Sequence, residues 1–98
     1  MAKVVWTKQA DRWLLKIHDY IARDSPENAF RVVESIYRRA QILEEFPDVG
    51  HSHATPSGRV VRILLWGRYR IAYHRPKTDE VHVIGVFHGA MNMAEYLR

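Results

Sequence analysis

Apolar residues recur at helical spacing through two segments in the first half of the chain. The first stripe predicts an amphipathic helix over residues 8–23, with Thr7 as a suitable N-cap. The second predicted helix begins after Ser25, whose hydroxyl can cap it, and Pro26 takes the first helical position, where a missing N–H costs nothing. This stripe continues to Phe46. Because only two or three residues connect the segments, the helices are predicted to be antiparallel neighbours.

The second half of the chain carries the alternation of apolar and polar residues that is typical of β-strands. Three such runs are residues 59–66, 68–75 and 80–88. A tight turn at Gly67 and a looser turn further on join them, which predicts an antiparallel meander. A short β-prone run, residues 3–6, precedes the first helix, whereas residues 47–58 have the Pro, Gly, Ser and Thr content of an irregular loop.

The predicted element order is β-α-α-β-β-β, followed by a short C-terminal helix. This order indicates an α+β domain in which the helical hairpin packs on one face of a small, mainly antiparallel sheet. Along the second meander strand, the period of two places Tyr69, Ile71 and Tyr73 on one face and Arg70, Ala72 and His74 on the other. The face away from the helices is expected to be open to solvent or to a ligand.

Composition indicates one packed domain spanning residues 1–98. Hydrophobic residues make up 47% of the 98 positions, enough for a single modest core at this chain length. Cysteine is absent, which excludes disulfides, thiol nucleophiles and cysteine-based zinc sites. No apolar run approaches the ~20 residues that cross a bilayer, and the N-terminus lacks the apolar core of a signal peptide. We therefore expect a cytoplasmic protein without a membrane partner.

Basic residues are concentrated in one part of the chain, which has a formal net charge of +4 at pH 7. Residues 1–46 nearly balance eight Lys and Arg against seven Asp and Glu. Residues 59–75 contain no acid and five arginines: Arg59, Arg62, Arg68, Arg70 and Arg75. This local positive field predicts an anionic partner, either a nucleic acid or an acidic protein segment.

Four stretches resemble, in order, the RelE/ParE superfamily of type II toxin–antitoxin systems, most closely its ParE-type and plasmid-stabilisation members. They are "WTKQADRWLLKIHDYIARDSPENA" at 6–29, "ILEEFPDVG" at 42–50, "VRILLWGRYRIAYH" at 61–74 and "VHVIGVFHGA" at 81–90. The resemblance implies a helical hairpin over a curled antiparallel sheet. It also implies a growth-arresting toxin that is neutralised by an acidic, partly disordered antitoxin segment wrapping around it.

The superfamily divides by target. RelE-type members are ribosome-dependent mRNA endonucleases, whereas ParE-type members poison DNA gyrase and lack the nuclease residues. The sheet resembles the ParE-type version at Arg62, Gly67, Tyr69, Ile71 and Tyr73, and "HGA" at 88–90 resembles the start of the ParE-type C-terminal segment. The chain departs from the family at Gly85, where arginine is common, and at Met91 and Asn92, where charged residues are common. Losing a phosphate-binding charge at Gly85 disfavours nuclease chemistry.

Gyrase inhibition is therefore the first predicted function, and mRNA cleavage on the ribosome is the alternative. Metal-independent RNA cleavage needs a base, an acid and cations around the phosphate. His88 can serve as base or acid, and Arg62 and Arg70 can hold phosphate oxygens. Tyr73 can add a hydroxyl or a stacking surface, although strand parity places it opposite Arg70 unless a bulge intervenes. A third class, a non-toxic basic nucleic-acid-binding module, is ranked last because no recognition-helix signature is found.

The residues expected to bind the target or the antitoxin are Arg59, Arg62, Trp66, Arg68, Arg70, His74 and His88. Arg62 and Arg70 engage carboxylates of a partner or of this chain more readily than they cradle RNA. His88 is more readily explained by bonding to backbone at a strand end than by catalysis. Trp66 lies at the hairpin tip, where it is either exposed or folded back onto the sheet. An apolar groove beside the sheet would suit an amphipathic helix or an added strand of the antitoxin.

Two histidines in the predicted loop, His51 and His53, are alternatives for the second proton-transfer group. They could also join His74 or His82 in a metal site. A His-x-His pair alone is common, and no carboxylate lies close in sequence, so we predict neither a metal nor a cofactor.

Overall fold

The computed structural model describes residues 1–89 and 91–97. Its elements are β1 (Lys3–Trp6), α1 (Lys8–Ala22), α2 (Pro26–Gln41), β2 (His51–Ala54), β3 (Val60–Trp66), β4 (Tyr69–Lys77) and β5 (Glu80–His88). Short 3-10 turns cover Ile42–Glu44 and Met93–Glu95. The predicted α+β fold is confirmed, with two helices packed against a five-stranded mixed sheet. Ala90, the last residue of the ParE-like "HGA" stretch, lies outside the described residues.

Both predicted helix caps are confirmed. The Thr7 hydroxyl accepts a hydrogen bond from the Ala10 N–H at 3.1 Å and donates one to the Val83 carbonyl at 2.8 Å, which ties the start of α1 to β5. The Ser25 hydroxyl accepts from the Asn28 N–H at 3.2 Å. Helix α2 ends before Phe46 because the chain tightens into the 3-10 turn that follows it, a frequent ending for an α-helix. In residues 1–89 and 91–97, no helix is both long and apolar enough to span a membrane.

The five strands lie in the order β1-β5-β4-β3-β2. Strand β1 runs parallel to β5, and the other neighbours are antiparallel. The prediction of an irregular loop over residues 47–58 is wrong at β2, where Ser52 pairs with Arg62 of β3. Residues 51–54 lack apolar alternation, so their strand conformation comes from backbone pairing at the sheet edge rather than from a buried face.

Two apolar clusters sandwich the sheet. The cluster on the helix side includes Leu14, Ile36, Leu43, Leu64, Ile71, Tyr73, Val83 and Val86. The expectation of an open second face is wrong, because the C-terminal segment, residues 91–97, covers much of it. That cluster contains Val61, Ile63, Ala72, Ile84, Phe87, Met93 and Leu97. Strand β5 is buried on both faces over residues 83–87, which explains its nearly unbroken apolar run.

Candidate functional site

An open cleft lies between the second half of α1 and the end of the sheet formed by β4 and β5. Its volume is about 490 Å³, large enough for several side chains of a partner. Four residues of one α1 face contribute to its wall: Trp13, Ile17, Tyr20 and Ile21. Tyr69 and Val86 extend the apolar wall from the sheet, and Lys16, Arg68 and His88 add basic groups. The cleft exists because α1 buries only Ala10 and Leu14 completely, so its apolar stripe continues past the covered part of the helix.

His88 lies at the end of β5, directly across from Tyr69 of β4. The two rings meet edge to face with their centroids 5.8 Å apart. The imidazole is exposed and lines the cleft together with Arg68. This position agrees with the predicted strand end and gives His88 access to a bound partner.

Arg70 holds the end of β5 and the start of the C-terminal segment. Its Nη2 donates hydrogen bonds to the carbonyls of His88, Gly89 and Met91, at 3.3, 3.2 and 2.6 Å. The cross-strand partner of Arg70 is Phe87, which belongs to the second-face cluster, so Arg70 and His88 leave the sheet on opposite faces. Its guanidinium therefore has an intramolecular role.

Arg62 and Arg75 anchor the segment before β2. Arg62 Nη1 donates to the carbonyls of Asp48 and Gly50, at 3.0 and 2.7 Å. The Asp48 carboxylate lies 3.6 Å from Arg62 Nε and 2.8 Å from Arg75 Nη1. Arg75 also donates to the Thr78 carbonyl. Asp48 is not among the residues predicted from the sequence, although it lies just upstream of the acid-free stretch of arginines.

Tyr73 is fully buried on the helix side, and its hydroxyl accepts a hydrogen bond from the Gly50 N–H at 2.9 Å. Glycine is required at position 50, since a Cβ there would lie 2.8 Å from the Tyr73 ring. Burial raises the pKa of the Tyr73 phenol, which keeps it protonated and makes it a poor base. This tyrosine therefore fixes the β2 segment in place.

Replacing Tyr73 by Phe should destabilise the fold by about 1–3 kcal/mol, because the buried Gly50 N–H loses its acceptor. Equilibrium unfolding in urea measures the change. Tyr20→Phe, which removes a hydroxyl from a side chain that is 71% exposed, is the matched control. An equal and negligible change in both variants would contradict the role given to the hydroxyl.

A basic cluster occupies the uncovered end of the second face. His74 and His82 are cross-strand partners with ring centroids 5.4 Å apart. Burial, then the charge of Arg59, then His82 lower the pKa of His74. His82 Nε2 lies 3.0 Å from Glu80, and this hydrogen bond is the main cause of a lowered pKa for the Glu80 carboxyl. Within residues 1–89 and 91–97, no three side chains that could bind a metal lie close together. His51 and His53, which the sequence predicted to lie in a loop, are on β2.

Stability should fall as the pH is lowered through 6.5, the ordinary pKa of histidine. The folded state holds His74 with a lowered pKa, so the unfolded chain binds more protons in this range and acidification favours unfolding. Urea unfolding between pH 8 and pH 5 should show a shallower decline for His74→Gln, with His18→Gln on α1 as the comparison. If stability declines with pH equally in His74→Gln and in the wild-type chain, His74 is not the source of the decline.

Trp66 is 41% exposed at the β3–β4 tip, as the sequence predicted, but it leans on α2 rather than on the sheet. Its indole N–H donates to the Ser35 hydroxyl at 3.1 Å. The Arg39 guanidinium lies 5.6 Å from the ring centre, and Arg39 Nε donates to the Leu65 carbonyl at 3.3 Å. The indole is thereby held in a fixed orientation on the surface, which suits a contact residue.

The groups considered for nuclease chemistry do not converge on one point. His88 is the cross-strand partner of Tyr69 on β4, and Arg62 is the cross-strand partner of Tyr73, four residues further along β4. That separation is about 13 Å at the usual rise of a strand. Arg70 leaves by the other face, and Tyr73 is buried beneath the β2 segment. The arrangement provides an apolar cleft with basic groups, and no shared phosphate site is formed by these four side chains.

Comparison with known proteins gives one consistent result. A family model described as "ParE toxin of type II toxin-antitoxin system, parDE" matches residues 4–93. Toxin RelE2 of Caulobacter vibrioides is 34% identical over 90 residues, which are 92% of this chain and 98% of that protein. A solved structure described as the chromosomal ParDE TA system from P. aeruginosa has a TM-score of 0.68 at 25% identity, covering 90% of this chain and 96% of that chain. The family-model match spans both helices and all of the residues that line the cleft.

Proposed function

The chain belongs to the ParE toxin family of type II toxin–antitoxin systems, and from this membership we propose that it arrests growth by binding a macromolecular target. DNA gyrase is the first candidate for that target. A cognate antitoxin neutralises the toxin by covering its binding surface. Because gyrase acts in the cytoplasm, the proposal places the toxin there.

The observation that supports an inhibitor over a nuclease is the dispersal of the candidate catalytic groups. Arg62 and Arg70 direct their guanidinium groups at carbonyls of their own chain. Phosphate cleavage needs cations and proton-transfer groups within hydrogen-bond reach of one phosphate. An inhibitor needs only a complementary surface, which the exposed Arg59, Trp66 and Arg68 supply.

The cleft is the proposed docking site of the antitoxin. Its apolar wall of Trp13, Ile17 and Tyr20 fits the apolar side of an amphipathic segment. Lys16 and Arg68 fit carboxylates of the same segment, and such charge complementarity speeds association and selects the partner. The observed geometry therefore suits an acidic antitoxin segment with an apolar stripe.

After induction of His88→Gln, the number of viable cells should stay within about threefold of the number for the wild-type chain. Glutamine keeps a polar side chain at this position, and an inhibitor does not need the proton exchange that glutamine cannot provide near neutral pH. Induced expression in a sensitive host, followed by counting of viable cells, measures the effect. A nuclease that used His88 as base or acid should lose on the order of 100-fold or more in activity. Complete loss of growth arrest, with both the fold and the affinity for the antitoxin preserved, would count against the inhibitor proposal.

The second candidate function is cleavage of mRNA on the ribosome. One relative carries the name Toxin RelE2, and His88 shares the cleft with Arg68. In this alternative His88 transfers the proton and Arg68 holds the phosphate. Loss of growth arrest in His88→Gln, together with new mRNA ends produced by the wild-type chain, would favour it.

A further inference from the structure

An apolar groove runs along the flank of α2 that is turned toward α1, beside the α2 residues that pack inward. Helix α2 is anchored to the core by Ala29, Ile36 and Ala40. On this flank Phe30 is 64% exposed, and Tyr37 is 37% exposed and donates a hydrogen bond to Asp11 of α1. With Val33 they line a groove of about 370 Å³. Two aromatic rings together on an exposed helix face are typical of an interaction surface.

Charges of alternating sign run beside this groove. Glu27, Arg31, Glu34 and Arg38 follow one another at helical spacing along a single edge of the face. They form two pairs within the helix, Glu27 with Arg31 at 3.7 Å and Glu34 with Arg38 at 2.9 Å. Both pairs are largely exposed, so they contribute little to stability and can be exchanged for pairs with another chain.

We propose that this face of α2 is a homodimer interface, in which α2 packs antiparallel on α2 of a second copy. A two-fold axis near Val33 sets Phe30 of one copy beside Tyr37 of the other. The same axis sets Glu27 across from Arg38 and Arg31 across from Glu34. Because the surface pairs with itself, each contact occurs twice, as in other two-fold dimers.

Two features favour a second copy of this chain as the occupant. The order Glu, Arg, Glu, Arg is self-complementary when read in opposite directions, so each carboxylate meets a guanidinium of the other copy. Antiparallel helices also place the positive end of each helix dipole beside the negative end of the other. Tyr37 is already held by the Trp6 ring, 4.4 Å away, so the aromatic face is ordered before association.

This interface is separate from the cleft. The residues that line the groove come from α2, whereas the cleft is built from α1, the sheet and Met91. The dimer proposal can therefore fail while the toxin proposal stands, and growth arrest serves as an independent readout.

Sedimentation velocity over a concentration series tests the interface. The wild-type chain should show a reversible monomer–dimer equilibrium, and Phe30→Glu should weaken it at least tenfold with unchanged circular dichroism. Tyr20→Glu, at an α1 side chain that is 71% exposed and lines the separate cleft, is the matched control and should keep the dimer. Arg38→Glu should also weaken the dimer, and adding Glu27→Arg should restore it, because the reversed charges attract again.

Cross-linking provides a second test, since the chain contains no cysteine. Glu34→Cys lies near the proposed axis and should form a disulfide-linked dimer under mild oxidation at low protein concentration, whereas Tyr20→Cys, in the cleft, should not. A wild-type chain that stays monomeric throughout the series would overturn the proposal. A dimer that persists in Phe30→Glu would place the contact elsewhere and would overturn it equally.

Discussion

Gly85→Arg should destabilise the sheet, although the sequence resemblance implies an arginine at this position. A Cβ on residue 85 would lie 2.5 Å from the Phe87 ring. Phe87 is fully buried and packs against Trp13 with ring centroids 4.9 Å apart, so it has little room to move. We expect the free energy of unfolding to fall by about 1–3 kcal/mol for Gly85→Ala and by more than that for Gly85→Arg. Urea unfolding followed by circular dichroism measures both.

Gly89→Ala is the matched control, because a Cβ there would lie 3.4 Å from the Arg68 carbonyl, close to ordinary contact. The clash can be isolated by combining Gly85→Ala with Phe87→Leu, which removes the ring. The loss in free energy of unfolding for the double variant should be smaller than the sum of the two single losses by about 1 kcal/mol or more, as expected for residues in contact. Purely additive effects would mean that Phe87 does not close this position.

Tyr20→Glu should release the toxin from its antitoxin, with affinity lowered about 100-fold, or about 2.7 kcal/mol. Tyr20 contributes an aromatic ring to the cleft, and tyrosines in such places often dominate binding energy. The introduced carboxylate also repels an acidic segment and loses solvent when the complex forms. Isothermal titration with the cognate antitoxin measures the loss.

Leu15→Glu adds the same charge to an exposed apolar position of α1 that does not line the cleft. Its antitoxin affinity should stay within about threefold of wild type. In cells, Tyr20→Glu should arrest growth even when the antitoxin is co-expressed, whereas Leu15→Glu should be neutralised. If both variants bind the antitoxin normally, its docking site is outside the cleft.

The starts of the helices, the β3–β4 turn and strand β5 could be predicted from the sequence, because each depends on residues that are neighbours in the chain. Thr7 and Ser25 cap the helices through hydroxyls placed one residue before each helix, and Gly67 takes the positive φ of 57° that the β3–β4 turn requires. Strand β5 has the predicted bounds, Glu80–His88. Such features depend on a few neighbouring residues, which is why they survive in the folded chain.

Longer-range contacts could not be read in the same way. The cover of the second face depends on Met93 and Leu97 meeting strands far away in sequence, and the composition of residues 91–97 gives no signal for that partner. Strand β2 forms without an apolar pattern of its own. Whether an arginine faces solvent or a carbonyl depends on strand register. It also depends on the register shift between Ala72 and Tyr73, which the alternation of apolar and polar residues along a strand does not reveal.

The candidate site shows the same division. The sequence placed His88 at a strand end and Trp66 at a hairpin tip, and both positions agree with the structure. It missed the use of Arg62 and Arg70 as anchors for backbone carbonyls, because that role depends on where residues 48–50 and 88–91 lie in space. It also missed Asp48, whose carboxylate pairs with Arg75 across the fold.

Inhibition by binding, the proposed mode of action of this toxin, is tested most directly by one paired assay. The purified chain is added in parallel to gyrase during DNA supercoiling and to translating ribosomes whose mRNA ends are mapped. We expect supercoiling to be blocked equally by the wild-type chain and by His88→Gln, with no new mRNA ends. Cleavage at defined mRNA positions by the wild-type chain alone, with supercoiling unaffected, would contradict the account.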